Sequence, residues 1–286
     1  MCGKIDPDGT QQLVDKTEKG IELTNPLPLP GNMDAVASGW DRWHDAADRN
    51  SDENLRSFIT KNSSEGALKP LLDGIFGNSP FLSHTLINDW EFSRQVFEDG
   101  PKSAFIGIIE TVSDPLLVAQ DQASIMKVLR IARRRCAFAI ALADLTGKWP
   151  LAEIIEALSK FAETSISATV SHLLHHGQQT GEIELSDPSL PSHDSGFIVL
   201  GMGKLGAKEL NYSSDVDLIL LFDNEKSQYT GKRTAQEFFV RLARDLVKIL
   251  EERTTDGYVF RTDLRLRPDP SSTPPVLSTL AAETYY

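Results

Sequence analysis

Cysteine is nearly absent: Cys2 and Cys136 are the only two in 286 residues. Two thiols this far apart make no disulfide framework, so the sequence reads as that of a cytoplasmic protein from a reducing compartment. Basic charge is also scarce, with 29 Lys and Arg against 41 Asp and Glu, a formal net charge of −12. A general nucleic-acid binder carries a basic footprint, and this balance argues against one. There is no run of about 20 apolar residues to span a membrane. The first residues include Asp6, Asp8, Asp15, Lys16 and Glu18, and no apolar stretch there has the form of a signal peptide. No internal repeat is visible. What the chain does have is 40% hydrophobic residues, enough for a substantial core, in a length that suits about two domains.

Residues 1–31 are polar and end in spaced prolines, Pro26, Pro28 and Pro30, which reads as a mobile tail. Residues 32–185 read as a helical region. Ser79-Pro80 has the form of an N-cap followed by a first-turn proline. Ile125, Val128, Leu129, Ala132, Cys136, Ala139, Ile140 and Ala143 make a helical stripe closed by Gly147. A second stripe, Leu151, Ile154, Ile155, Leu158, Ala162 and Ile166, is expected to end near Gly177. Arg130, Arg133, Arg134 and Arg135 surround the first stripe and read as its solvated face, with a docking surface for protein or nucleotide as the lesser reading. His172, His175 and His176 have helical spacing but no acid or cysteine at ligand spacing. They read as groups favoured by a helix C-terminus rather than as a metal site. Residues 186–195, rich in Ser, Pro and Asp, read as a linker into a second domain, 186–286.

That domain carries the chemistry. Gly201-Met202-Gly203-Lys204-Leu205-Gly206 follows an apolar strand and spells G-x-G-x-x-G, the form of a dinucleotide-binding turn, and Asp223 lies near the ~20-residue spacing of a ribose-binding acid. Such a unit needs a crossover of at least about 10–12 residues between its strands. Only Ala207-Lys208-Glu209-Leu210 precede the turn-forming Asn211-Tyr212-Ser213-Ser214, so an NAD-dependent enzyme is a distant reading. The same glycines suit a phosphate cradle, because backbone N–H groups can approach oxygen closely. Lys204 would add a point charge, and Ser213 and Ser214 would add donors.

Residues 216–222 form an apolar, β-branched run that predicts a buried strand. Asp215 and Asp217 then share one face at its start, their Cα atoms ~6.5–7 Å apart at a rise of ~3.3 Å per residue. That spacing suits carboxylates converging on one or two hard cations. Residues 257–268 alternate, with Val259, Arg261, Asp263, Arg265 and Arg267 on one face and Phe260, Thr262, Leu264 and Leu266 on the other. One acid among three arginines suits a cation with phosphate oxygens; an exposed edge strand is the plainer alternative. Thr234-Ala235-Gln236-Glu237 is a capping box, opening a helix whose Phe238, Phe239, Leu242, Leu246, Ile249 and Leu250 face the core.

Together, the glycine turn, Glu209-Leu210-Asn211, Ser213-Ser214-Asp215-Val216-Asp217-Leu218-Ile219 and Thr262-Asp263-Leu264-Arg265-Leu266-Arg267-Pro268 resemble the glutamine synthetase adenylyltransferase/adenylyl-removing enzymes. These are bacterial bifunctional members of the DNA polymerase beta nucleotidyltransferase superfamily. The likeness extends back through residues 149–174 and 116–135 and weakens before Ser79. Ala207 stands where the family more often has another glycine. The resemblance implies an α+β fold, a helical amino-terminal region followed by a polymerase-beta-like nucleotidyltransferase domain with a small mixed sheet. It implies that Asp215, Asp217 and Asp263 are the catalytic and metal-binding carboxylates, for Mg2+ or Mn2+. It implies a nucleotide and phosphate site at Gly201, Gly203, Lys204, Gly206, Ser213, Ser214, Arg265 and Arg267. Expected small molecules are ADP or ATP and inorganic phosphate. Expected partners are glutamine synthetase and a PII-type nitrogen signal protein. Family chains are much longer and hold two such domains, one attaching AMP to a tyrosine of glutamine synthetase and one removing it by phosphorolysis. The long helical lead and the wording of residues 209–214 resemble the amino-terminal, AMP-removing part. AMP transfer from ATP and a non-catalytic regulatory module are the competing readings. Because the chain stops inside a helix begun near Ser278 or Thr279, the domain is expected to be truncated at its C-terminal end.

Overall fold

Local capping sets out the first half of the chain. The computed structural model describes residues 21, 23, 26–64, 66–267, 269 and 271–285. Helix α1 (Met33–Asn50) begins at Asn32, whose side chain accepts hydrogen bonds from the amides of Asp34 and Ala35. Asp52 caps α2 (Glu53–Ser63) in the same way. Helix α3 (Lys69–Asn78) gives way at once to α4 (Pro80–Asn88), where Ser79 Oγ accepts from the Leu82 amide and proline takes the first turn. These side chains satisfy amides that a helix start leaves without partners. Helices α5 (Trp90–Asp99), α6 (Pro101–Val112) and the short α7 (Pro115–Val118) lead to the two long ones, α8 (Gln122–Leu145) and α9 (Leu151–Gln179).

Of the segment read as a mobile tail, residues 1–20, 22, 24 and 25 lie outside the described residues. Its proline-rich end is docked rather than free. The Asn78 side chain accepts from the Gly31 amide at 2.8 Å and donates to the Leu29 carbonyl at 3.0 Å. Helix α9 ends at Gln179, near Gly177 as expected. A Cβ on Gly177 would lie 3.0 Å from Phe238 Cζ, so this glycine also lets a ring pack closely against the helix.

The second part alternates strand and helix. Strand β1 (Ile183–Glu184) pairs antiparallel with β4 (Gln228–Tyr229). The main sheet centres on β3 (Val216–Phe222), whose side chains alternate between buried and half-buried. On one side it pairs antiparallel with β2 (Phe197–Gly201). On the other it pairs parallel with β5 (Thr262–Asp263) at its start and β6 (Val276–Ser278) at its end. The turn α10 (Gly203–Gly206) joins β2 to β3, and α11 (Ala235–Glu251) opens on the capping box at Thr234. A last helix, α12 (Thr279–Tyr285), follows β6. The fold is α+β, with a small mixed sheet behind a helical region. The antiparallel pairing of β2 with β3 rules out a parallel crossover between them, and with it the dinucleotide unit.

Helix α11 seals the sheet. Its Phe239 is fully buried and stacks on Phe222 of β3 at 4.8 Å and Phe197 of β2 at 5.6 Å between ring centroids. Phe238, Leu242, Leu246, Ile249 and Leu250 are buried along the same face.

Two expectations are overturned here. Residues 257–268 do not form one alternating strand. Val259 and Phe260 are consecutive and both buried, both amides donating to the Leu250 carbonyl, and the chain turns after Asp263. Pairing with β3 lasts for two residues, because β6 takes up the next part of the same edge. The arginines of α8 are not a solvated face either. Arg130 is 1% exposed and donates to the carbonyls of Met126, Gly257 and Glu252. Arg133 donates to the Tyr212 carbonyl at 2.8 Å, and Arg135 grips Asp89 with two bonds of 2.8 Å. The loop after α11 covers this side of α8, a contact between residues more than 100 positions apart. His172 is likewise internal, its Nδ1 lying 3.0 Å from the Val118 carbonyl of α7.

Candidate active site

The site sits where β2 ends and β3 begins. As β2 leaves the sheet, the Met202 amide donates to the Asp217 carbonyl at 2.8 Å, which ties the glycine turn to the acidic strand. Gly203 follows at φ +53°, and a Cβ there would stand 2.7 Å from Asp217 Oδ2. A side chain at 203 would therefore be strained in its backbone and would occupy the place of a carboxylate oxygen. Gly206 answers a second close approach, since its Cβ would lie 2.5 Å from the Gly201 carbonyl oxygen. Lys204 is exposed at the turn, with Nζ 3.5 Å from Ser214 Oγ.

Residues 207–215 bring the chain back to the sheet. Leu210 is buried against the helical region, and its amide donates to Ser159 Oγ of α9 at 3.1 Å. Asn211 Oδ1 then accepts from the Ser213 amide at 3.1 Å and from Ser214 Oγ at 2.8 Å, the side-chain turn expected of Asn in such a run. Tyr212 is held from both ends, its hydroxyl donating to Asp144 and its carbonyl accepting from Arg133. Burial, with Asp144 alongside, pushes its phenol well above the ordinary range.

Asp217 and Asp263 are direct register partners across the parallel β3–β5 pairing, and Asp215 stands two residues before Asp217. All three expected carboxylates therefore lie at one corner of the sheet. Their oxygens do not meet at one point, however: among the described residues no three His, Cys, Asp or Glu side chains gather closely enough to hold a metal ion. Arginines account for this. Arg261 Nε donates to Asp215 Oδ1 at 2.5 Å while its Nη2 reaches the Ser213 carbonyl. Arg265 forks onto both oxygens of Asp263 and adds its backbone amide at 2.8 Å. These bonds, side chain first, hold the Asp263 carboxyl below the usual carboxylate range. Arg267 turns inward, to the Leu264 carbonyl at 2.5 Å and the Thr273 carbonyl at 3.3 Å, and so braces its own loop.

The donor set is still chemically right for a hard divalent cation: two carboxylates at alternate positions at the start of one strand and a third in register with one of them, with room at Asp217 left by Gly203. Two guanidinium groups now neutralise the outer pair, and a cation would take over that role. Glu251 at the end of α11 was not among the sequence candidates. Its Oε1 accepts from the Thr262 amide and, at 2.8 Å, from Thr262 Oγ1, fixing the start of β5 and with it the height of Asp263. An acid ending a helix gives no sequence signal of that role.

Comparison with known proteins places the chain in a family. The family model described as glutamate-ammonia ligase adenylyltransferase matches residues 70–286. A protein of Rhizobium meliloti (strain 1021) named bifunctional glutamine synthetase adenylyltransferase/adenylyl-removing enzyme is 45% identical over 229 residues, covering 78% of this chain and 23% of the relative. Proteins with the same name from Rhodopseudomonas palustris (strain HaA2) and Agrobacterium fabrum are each 40% identical, over 219 and 228 residues, covering 77% and 78% of this chain and 22% and 23% of the relatives. The chain thus spans less than a quarter of the length of these relatives. With the glycine turn, the paired aspartates and a match over three-quarters of its residues, the chain belongs to the glutamate-ammonia ligase adenylyltransferase family.

Proposed function

We propose that this chain carries a metal-dependent nucleotidyl-transfer site that removes AMP from an adenylyl-tyrosine of glutamine synthetase by phosphorolysis. The observation that carries the reading is the register of Asp217 against Asp263, with Asp215 beside them and Gly203 clearing space at the Asp217 carboxylate. Strand pairing sets that juxtaposition, so it does not depend on the present side-chain rotamers. Support for removal over attachment comes from the long helical lead, α1 to α9, ahead of the motif.

In the proposed reaction an oxygen of inorganic phosphate attacks the AMP phosphorus. The bond from phosphorus to the tyrosine oxygen breaks, the tyrosine leaves and takes a proton, and ADP is formed. Phosphate is already anionic, so no side chain need act as a base. Asp215, Asp217 and Asp263 would hold the divalent cation, which when bound supplies positive charge to the phosphoryl oxygens as charge develops there. Lys204, Ser213 and Ser214 would bind nucleotide phosphate oxygens. Arg265, exposed on the turn after β5, would exchange Asp263 for the incoming phosphate, an exchange its planar fork allows. Arg267 would keep the loop that presents Arg265 in place.

The test is direction-resolved. The chain is incubated with phosphate plus adenylylated glutamine synthetase, and separately with ATP plus unmodified glutamine synthetase. ADP release in the first mixture supports removal, and AMP incorporation in the second overturns the proposed direction. Asp215→Asn should abolish turnover and leave the far-UV circular dichroism spectrum unchanged. Substantial activity in that variant with metal present would sink the carboxylate assignment.

A further inference from the structure

Between the helical region and the second domain lies a cleft of about 550 Å³. Gly203, Lys204, Asp217 and Asp263 do not line it; of the expected site residues it takes in Ser213 alone, at its edge toward the carboxylate corner. In a chain of net charge −12 its wall is basic, with Arg130, Arg133, Arg134 and Arg253 against one acid, Asp256. Arg130 and Arg133 are committed to backbone carbonyls. The other two have capacity left. Arg134 has its carboxylates at 3.5 Å (Asp89) and 3.9 Å (Asp256), and Asp89 is already gripped by Arg135. Arg253 is exposed and stands over the Tyr258 ring at 5.6 Å. Beside the half-buried Tyr212, two exposed aromatic side chains line it, Phe81 at 49% and Tyr258 at 36% exposure.

We propose that this cleft binds a nucleoside polyphosphate as an effector, with Arg134 and Arg253 on the phosphates and the Phe81 and Tyr258 rings against the base. Its volume lies within the roughly 300–1,000 Å³ of small-molecule sites. Guanidinium forks match phosphate oxygens, and flat rings accept a base by stacking. The cleft also has a physical link to the catalytic corner. Arg133 holds the Tyr212 carbonyl from the cleft side, and the next carbonyl, Ser213, is held by Arg261, which also binds Asp215. Ser213 itself lines the cleft. A phosphate drawn against Arg134, next to Arg133 on α8, bears on the segment that carries Asp215. This inference is independent of the direction of AMP transfer, because binding is measured without turnover.

Isothermal titration of the full chain with ATP, in EDTA so that no divalent cation bridges the nucleotide to the carboxylates, tests it. Saturable binding is expected in the wild type. Losing one charge-assisted bond costs about 1.5–3 kcal/mol, so Arg253→Ala should weaken ATP at least about tenfold. Lys226→Ala and Lys232→Ala should leave the affinity within about twofold, since both are exposed and neither lines the cleft. Tripolyphosphate should bind more weakly than ATP, and Tyr258→Ala should bring the two together. Arg253 is exposed, so its replacement does not threaten folding, and Arg134→Gln with an unchanged melting temperature gives a second reading. Absence of saturable ATP binding overturns the proposal. So does binding that survives Arg253→Ala but is lost in Lys204→Ala, which would put the nucleotide at the glycine turn.

Discussion

Gly203→Ala separates what the glycine turn does for stability from what it does for chemistry. The residue sits at φ +53°, a left-handed conformation that costs alanine about 1–2 kcal/mol. The new Cβ would also meet Asp217 Oδ2 at 2.7 Å. That oxygen is the free end of a flexible side chain, so the carboxylate can swing aside at little further cost in folding energy. The expected destabilisation is therefore the backbone cost alone, about 1–2 kcal/mol, a fall in melting temperature of roughly 2–8 °C at ~2–4 °C per kcal/mol. Turnover should suffer more, because displacing a reacting group by ~1 Å costs on the order of 10²-fold. The assay is phosphate-dependent ADP release from adenylylated glutamine synthetase, run beside thermal denaturation. Gly107→Ala in α6 is the control. Nothing lies within 4 Å of a Cβ there, and alanine in a helix interior gains about 0.5–1 kcal/mol. Wild-type turnover in Gly203→Ala, with the melting temperature lowered as expected, would refute the placing of Asp217 at the reaction centre.

Other outcomes follow from the packing. Ser159→Ala leaves the buried Leu210 amide without its acceptor and should cost about 1–3 kcal/mol in urea denaturation. Phe239→Ala empties the space between Phe197 and Phe222 and should cost about 3–5 kcal/mol by the same measurement. His172 has its pKa lowered by burial, so the folded state favours the neutral ring over the unfolded one. Its contribution to stability is complete above the unfolded value of about 6.5 and is lost as pH falls from there toward the folded value. Asp121, His175 and His176 are the titratable groups that face it. Urea titrations of wild type and His172→Gln between about pH 5 and about 7.5, on either side of the ~6.5 of a free imidazole, should show a shallower dependence of stability on pH in the variant, and equal slopes would remove His172 from the acid sensitivity.

Much of the fold was legible because its signals are local. Ser79-Pro80, the Thr234 capping box and the stripe from Ile125 to Ala143 each work within a few residues, and each forms where the sequence places it. The β3 strand was legible for the same reason, as an apolar run bounded by turn formers. Residues 257–268 misled because alternation by itself does not say where a strand loses its partner. β6 takes the edge that a longer β5 would need. The arginines of α8 misled because their partners, Gly257 and Glu252, are distant in sequence. The helix end expected near Gly177 falls at Gln179, while the close contact of Gly177 with Phe238 had no local signal.

The sequence by itself determined the parts of the candidate site: glycines that permit a tight turn, aspartates at i and i+2, and a third aspartate before an arginine-rich turn. Those are properties of residue type and short spacing, which the chain carries whether folded or not. Only the tertiary structure decided that Asp263 pairs with Asp217 and that Arg261 and Arg265 occupy the outer carboxylates. Only it brought the arginines of α8 together with Arg253 around a cleft. The physical reason is that strand register and helix docking are settled by burial of the Phe239 face and the α9 contact, contributions spread over the whole chain.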